Sequence, residues 1–103
     1  MTPVTPIASK LLDVTKQIPQ DIAWVLRVDG HTDVRPIVTS QFPSNWALSA
    51  ARAISVVQYL ISKGVSPQRL VAAGFGEFQP LDTANTEEAY KRNRRIELKL
   101  TER

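Results

Sequence analysis

The sequence predicts an α/β fold, a two-layer α/β sandwich with helices packed on one face of a small mixed β-sheet. Three observations carry that expectation. Ile22 to Asp29 (IAWVLRVD) is a run of strand formers. At the other end, Ile96, Leu98 and Leu100 alternate with Glu97, Lys99 and Thr101, as a half-buried strand does. Between them lies a long segment with helical periodicity, opened by a capping residue and closed by a glycine.

In chain order, Met1 to Pro6 carries two prolines, and Ile7, Leu11, Leu12, Val14 and Ile18 then recur at roughly helical spacing. Pro19 ends that helix, and the Ile22–Asp29 strand follows. Gly30 marks a sharp change of direction. A loop from Val34 to Pro43 leads to Ser44 or Asn45, either of which can cap a helix running to about Lys63, with Gly64 as its stop. Ala47, Ala51, Ile54, Val57 and Ile61 form its expected buried stripe. Gln68 to Gly74 (QRLVAAG) reads as the second strand, Gly76 to Thr86 as a loop and Thr86 to Asn93 as a short helix. Three strands make a thin sheet, so a first strand is expected upstream of Ile7 or poorly marked there.

The chain of 103 residues, 43% hydrophobic and 22% charged, fits a single domain, residues 1–103. Cysteine is absent, which removes disulfides and thiolate metal sites, and one histidine cannot build a zinc centre alone. No metal and no cofactor are expected. A net charge of +3 is too small to make nucleic acid the default partner. No apolar run approaches the ~18 residues of a membrane helix, so a membrane is expected only through a segment of a longer parent.

The chemistry concentrates between Gly30 and Ala53. Asp33 stands where a loop leaves a strand, a position that loops use for function. Arg52 follows Asn45 by close to two helical turns, so both project to nearly the same side, with Leu48 and Ser49 between them. A carboxylate suits an ammonium group, a guanidinium grips a carboxylate bidentately, and Thr32 and Asn45 add neutral donors and acceptors. Such a pair can hold a small zwitterion at both ends. The alternative from spacing alone is a direct Asp33–Arg52 salt bridge that pins loop to helix.

His31, beside Asp33, reads as a loop histidine with a structural hydrogen bond, since no motif marks a serine or cysteine nucleophile. Gly74 to Glu77 (GFGE) lacks the remaining spacing of a phosphate loop. Lys91, Arg92, Arg94 and Arg95 read as a solvated helix end. Trp24 reads as core, while Trp46 is either a hydrophobic staple or part of a pocket wall.

GHTD (Gly30–Asp33), NWALSAARA (Asn45–Ala53), GVSPQRL (Gly64–Leu70), AGFGEFQP (Ala73–Pro80) and NRRIEL (Asn93–Leu98) occur in the order seen in OmpA-like domains. The chain resembles these peptidoglycan-binding domains of OmpA, Pal and the flagellar stator protein MotB from about Ile22 to Thr101. The longer segment between Asp33 and Asn45 is most similar to the MotB branch. The resemblance implies metal-free, non-catalytic binding of the diaminopimelate residue of the peptidoglycan stem peptide. Asp33 would take the ligand's ammonium and Arg52 its carboxylate. Thr32, Asn45 and Leu48 would line the pocket, and Asn93 and Arg94 would close it. It also implies a periplasmic anchor within a flagellar stator or a passive wall tether, and a homodimer. A wall hydrolase, the other class considered, would need a paired acid system, for which Glu77 and Asp82 are the only loose candidates.

Overall fold

The computed structural model describes residues 17–19, 21–37, 39 and 41–102. The helix expected from Ile7 to Ile18 lies almost wholly outside them, with Gln17 and Ile18 forming a turn and a bend.

Strand β1 spans Trp24–His31, helix α1 Asn45–Ser62, strand β2 Leu70–Gly74, helix α2 Glu87–Asn93 and strand β3 Arg95–Glu102. The sheet order is β2-β1-β3, with β2 parallel and β3 antiparallel to the central β1. It is therefore a small mixed sheet, as expected. Several boundaries move, and β1 starts at Trp24 rather than Ile22. β1 runs through Gly30 to His31, so the change of direction comes only at Thr32. Residues Pro67–Arg69 form a 3-10 turn, with proline in its first positions, and β2 begins at Leu70 rather than Gln68. Thr86 caps α2 from outside: its side chain accepts the Ala89 N–H.

Helix α1 begins where the sequence places it because the Ser44 hydroxyl accepts the Ala47 N–H at 3.1 Å. It ends as Lys63 and Gly64 turn back on Tyr59, Leu60 and Ile61, Gly64 at φ +104°. Its buried face is Asn45, Ser49, Ala53, Val56 and Leu60. The expected stripe is thus rotated: Ile54 and Ile61 are 47% and 39% exposed. Close approach to the sheet is the reason. A Cβ on Gly30 would lie 2.1 Å from the Ser49 carbonyl oxygen, and one on Gly74 2.8 Å from the Ala50 nitrogen. Over the two glycines only small side chains such as Ser49 and Ala50 fit, while Val56 and Leu60 fill the core farther along the helix.

Alternation along the strands gives the sheet two unlike faces. Leu26 and Val28 pack with Ala53, Val56, Leu60 and Val65, flanked by Trp24, Leu70, Ile96 and Leu98, so Trp24 borders the core as expected. The opposite face carries Arg27, Asp29 and His31 from β1 and Arg95, Glu97 and Lys99 from β3, paired by register. The second half of β3 is exposed, and Leu100, expected to be half-buried, is 46% accessible.

Candidate functional site

Four elements converge beyond the C-terminal end of β1, where open α/β sheets place ligands. The backbone fixes the geometry first. Phe75 N–H donates to the Gly30 carbonyl at 3.0 Å and Thr32 N–H to the Gly76 carbonyl at 2.9 Å, carrying the β1–β2 contact past the strands. Ser49, fully buried on α1, accepts the Gly76 N–H at 2.9 Å and donates to the Trp46 carbonyl at 3.0 Å. The GFGE segment is therefore a structural clasp between strand ends and helix. Gly76 sits at φ +63°, and a Cβ there would lie 3.1 Å from the Trp46 ring. Trp46 itself is 56% exposed and packs on Phe78, ring centroids 4.5 Å apart.

Asp33, 7% exposed, is the centre of an ionic cluster. Its Oδ1 accepts the Arg35 backbone N–H at 2.9 Å. Its Oδ2 accepts the guanidinium groups of Arg35 at 2.7 Å and Arg94 at 2.8 Å. Both arginines also reach Glu87, at 3.3 Å and 3.4 Å, and Arg35 lies over the Tyr90 ring at 4.7 Å. Burial pushes the Asp33 carboxyl up, but the hydrogen bonds from Arg35 and Arg94 outweigh it and hold it below the ordinary range. Arg94 arrives here because β3 pairs Arg95 with His31, placing the preceding residue beside the end of β1.

The other expected site residues divide. Thr32 is buried and its hydroxyl donates to the Asp33 carbonyl at 3.0 Å. The Asn45 amide nitrogen lies 3.0 Å from the Arg35 carbonyl and 3.4 Å from both the Asp33 carbonyl and Glu77 Oε1, tying loop to helix. Leu48 and Arg52, half-buried, line the same edge of α1 as Asn45. No hydrogen bond or ion pair joins Arg52 to any described residue. The direct Asp33–Arg52 bridge is not formed; Asp33 is taken by Arg35 and Arg94 instead. Asn93 turns to the 81–82 loop: its Oδ1 accepts the Leu81 and Asp82 N–H groups at 2.9 and 3.1 Å, and its Nδ2 donates to the Asp82 carbonyl at 2.9 Å. Sequence reasoning missed Arg35, Glu87 and Tyr90. The only local signal was Arg35 two residues after Asp33, a spacing at which an aspartate accepts a backbone N–H.

The basic run is not a free cationic patch. Arg92 pairs with Asp82, Arg94 with Asp33 and Glu87, and Arg95 with Glu97. His31 departs from expectation, being the last residue of β1 and not of a loop. It stacks on Phe75 at 5.0 Å, and both ring nitrogens are buried without a hydrogen-bond partner. Burial first, then Arg95, lowers its pKa. With Asp29 and Glu97 it forms a group whose ligand atoms lie within 4.8 Å of one another. Arg27 grips Asp29 bidentately, Arg95 pairs with Glu97, and Lys99 lies near both carboxylates. Three cations already offset these two acids, so a divalent ion would have to break existing ion pairs to enter. A cleft of about 430 Å³ lies at the far end of β1, between Asp21–Trp24 and Ser66–Arg69. Arg69 there already donates to the Ile22 and Trp24 carbonyls and covers the Trp24 ring.

The OmpA family profile matches residues 4–94. The chain belongs to the OmpA family. It is 48% identical over 82 residues to YtxE of Bacillus subtilis, covering 79% of this chain and 32% of that protein. It is 36% identical over 94 residues to the peptidoglycan-associated lipoprotein of Pseudomonas aeruginosa, covering 91% and 54%. Among solved structures, the periplasmic domain of Helicobacter pylori MotB is 27% identical with a TM-score of 0.80, covering 94% of this chain and 60% of that one. The C-terminal domain of the same protein superposes with a TM-score of 0.81. The chain thus spans between a third and about half the length of these two curated relatives. Its fold is that of the MotB and lipoprotein domains, and among the described residues it is a small mixed sheet with two helices.

Proposed function

We propose that this chain is a non-catalytic wall-binding domain that holds diaminopimelate of the peptidoglycan stem peptide and so anchors a larger periplasmic protein. The observation that carries the reading is Arg52. Arg52 is half-buried and its guanidinium has no hydrogen-bond or ion-pair partner among the described residues, which leaves it free to grip a carboxylate. It lines the helix edge that begins at Asn45, whose amide holds the loop bearing Asp33. With Arg35 and Arg94 set against Asp33 and Glu87, its charge is the surplus one, which suits a ligand carboxylate. The ligand's ammonium would take the Asp33 carboxylate. Leu48 would pack on the ligand's methylenes, and Thr32, Asn45 and Arg94 would hold the pocket in shape. Asn93 would act one step removed, by fixing the 81–82 loop.

The relatives point the same way: one carries peptidoglycan association in its name, and another is a periplasmic MotB domain. Nothing in the cluster suits bond cleavage. Asp82 is occupied by Arg92 and the Ala84 N–H, and Glu77 by Asn45. A fragment this small supports millimolar to micromolar affinity, roughly −4 to −8 kcal/mol, which repetition along a polymeric wall multiplies. A homodimer belongs to the same reading.

The test is co-sedimentation with purified sacculi. Arg52→Ala should abolish retention while leaving circular dichroism and melting unchanged, and the wild-type domain should release no muropeptides. Undiminished retention of the folded variant would reject the pocket.

A further inference from the structure

We propose that Arg35 is an internal competitor for the cationic end of the ligand, so that binding requires an exchange of partners on Asp33. The inference rests on the diaminopimelate reading and adds to it a residue that holds down affinity for the free amine.

Both Asp33 oxygens are occupied by groups of the domain itself. Oδ1 takes the Arg35 backbone N–H; Oδ2 takes the Arg35 and Arg94 guanidinium groups. An incoming ammonium must share or displace one of these cations. The two differ in how firmly they are held. Arg94 is the less exposed, at 32% of its side chain against 47% for Arg35, and is anchored at the start of β3. Arg35 stands just beyond β1 and has two further holds besides Asp33: Glu87 Oε2 at 3.3 Å and the Tyr90 face at 4.7 Å. Its guanidinium can therefore leave Oδ2 and remain charge-paired and stacked. The backbone N–H on Oδ1 stays, so the carboxylate keeps its orientation during the exchange.

A ligand without a free amine has nothing to exchange. Removing the Arg35 charge should thus favour amine-bearing ligands alone. The whole domain would be titrated calorimetrically with a soluble stem tripeptide ending in diaminopimelate, and with the same peptide acetylated on its side-chain amine. Arg35→Gln should bind the free-amine peptide roughly two- to fivefold more tightly than wild type, the scale of a half-exposed ion pair, and should gain nothing with the acetylated one. In the wild-type domain, the Arg35 Nε–H resonance should shift on adding the first peptide and stay still with the second. Equal or weaker free-amine binding by Arg35→Gln, with Arg52 still required, overturns the exchange and spares the pocket. Wild-type affinity in Arg52→Ala overturns both.

Discussion

Gly30 of β1 lies directly beneath Ser49 of α1, so close that a Cβ on the glycine would stand 2.1 Å from the Ser49 carbonyl oxygen. The obstacle is backbone and cannot rotate away. Gly30→Ala must push the helix off the sheet, loosening the Leu26–Val28–Ala53–Val56–Leu60 core beneath it. A loss of about 3 kcal/mol or more is expected, read as a lower urea midpoint. A wild-type midpoint would mean that the helix–sheet spacing is not set here.

The charged face of the sheet predicts an unusual gain. His31 is buried with neither ring nitrogen hydrogen-bonded, and it stacks on Phe75. His31→Phe keeps the ring and removes the unsatisfied polar atoms, so stability should be unchanged or rise by up to about 1 kcal/mol.

The same residue shapes the acid limb. Its folded pKa lies below the unfolded value of about 6.5, so unfolding takes up a proton and stability rises with pH. The His31 contribution is complete above about pH 6.5 and falls away as the pH drops toward the folded pKa. The carboxyls of Asp33 and Glu97, also lowered, lose theirs only further down, below their unfolded values near 4. Denaturation measured from pH 7 to pH 5 should show a downward slope in the wild type and a flatter line in His31→Phe. Parallel lines would reject the assignment.

Asn93 predicts a cost that its place in a basic motif hides. One amide satisfies two N–H groups and a carbonyl of the 81–82 loop. Asn93→Ala leaves them without partners, at about 2–3 kcal/mol. Amide exchange at Leu81 and Asp82 should accelerate first; protection equal to wild type would show that the loop is held otherwise.

Legibility in the sequence followed the range of the forces. The ends of α1 were readable because Ser44 and Gly64 act within one helical turn. Its buried face was not, because hydrophobicity ranks Ile54 and Ile61 above Ser49 and Ala53, whereas the packing distance to Gly30 and Gly74 rewards small side chains. Asp33, Thr32, Asn45 and Arg94 were named together from motif order, and the structure brings them together. Arg35 and Glu87 were missed, since their contact joins residues 52 apart in the chain. The burial of Asp29 was hidden too: alternating charges on a strand look solvated, yet it is 1% exposed beside the Arg27 and Lys99 side chains.

Arg52 and Asp33 should separate stability from binding. Arg52 makes no hydrogen bond or ion pair with a described residue, so Arg52→Ala should shift stability by no more than about 0.5 kcal/mol in either direction. Asp33→Ala strips Arg35 and Arg94 of their shared acid and frees a backbone N–H, so a loss of about 1–3 kcal/mol is expected. Thermal melts of both variants, run beside sacculus retention, read the two effects independently. If Arg52→Ala destabilised as strongly as Asp33→Ala, its guanidinium would be serving the fold and not a ligand carboxylate.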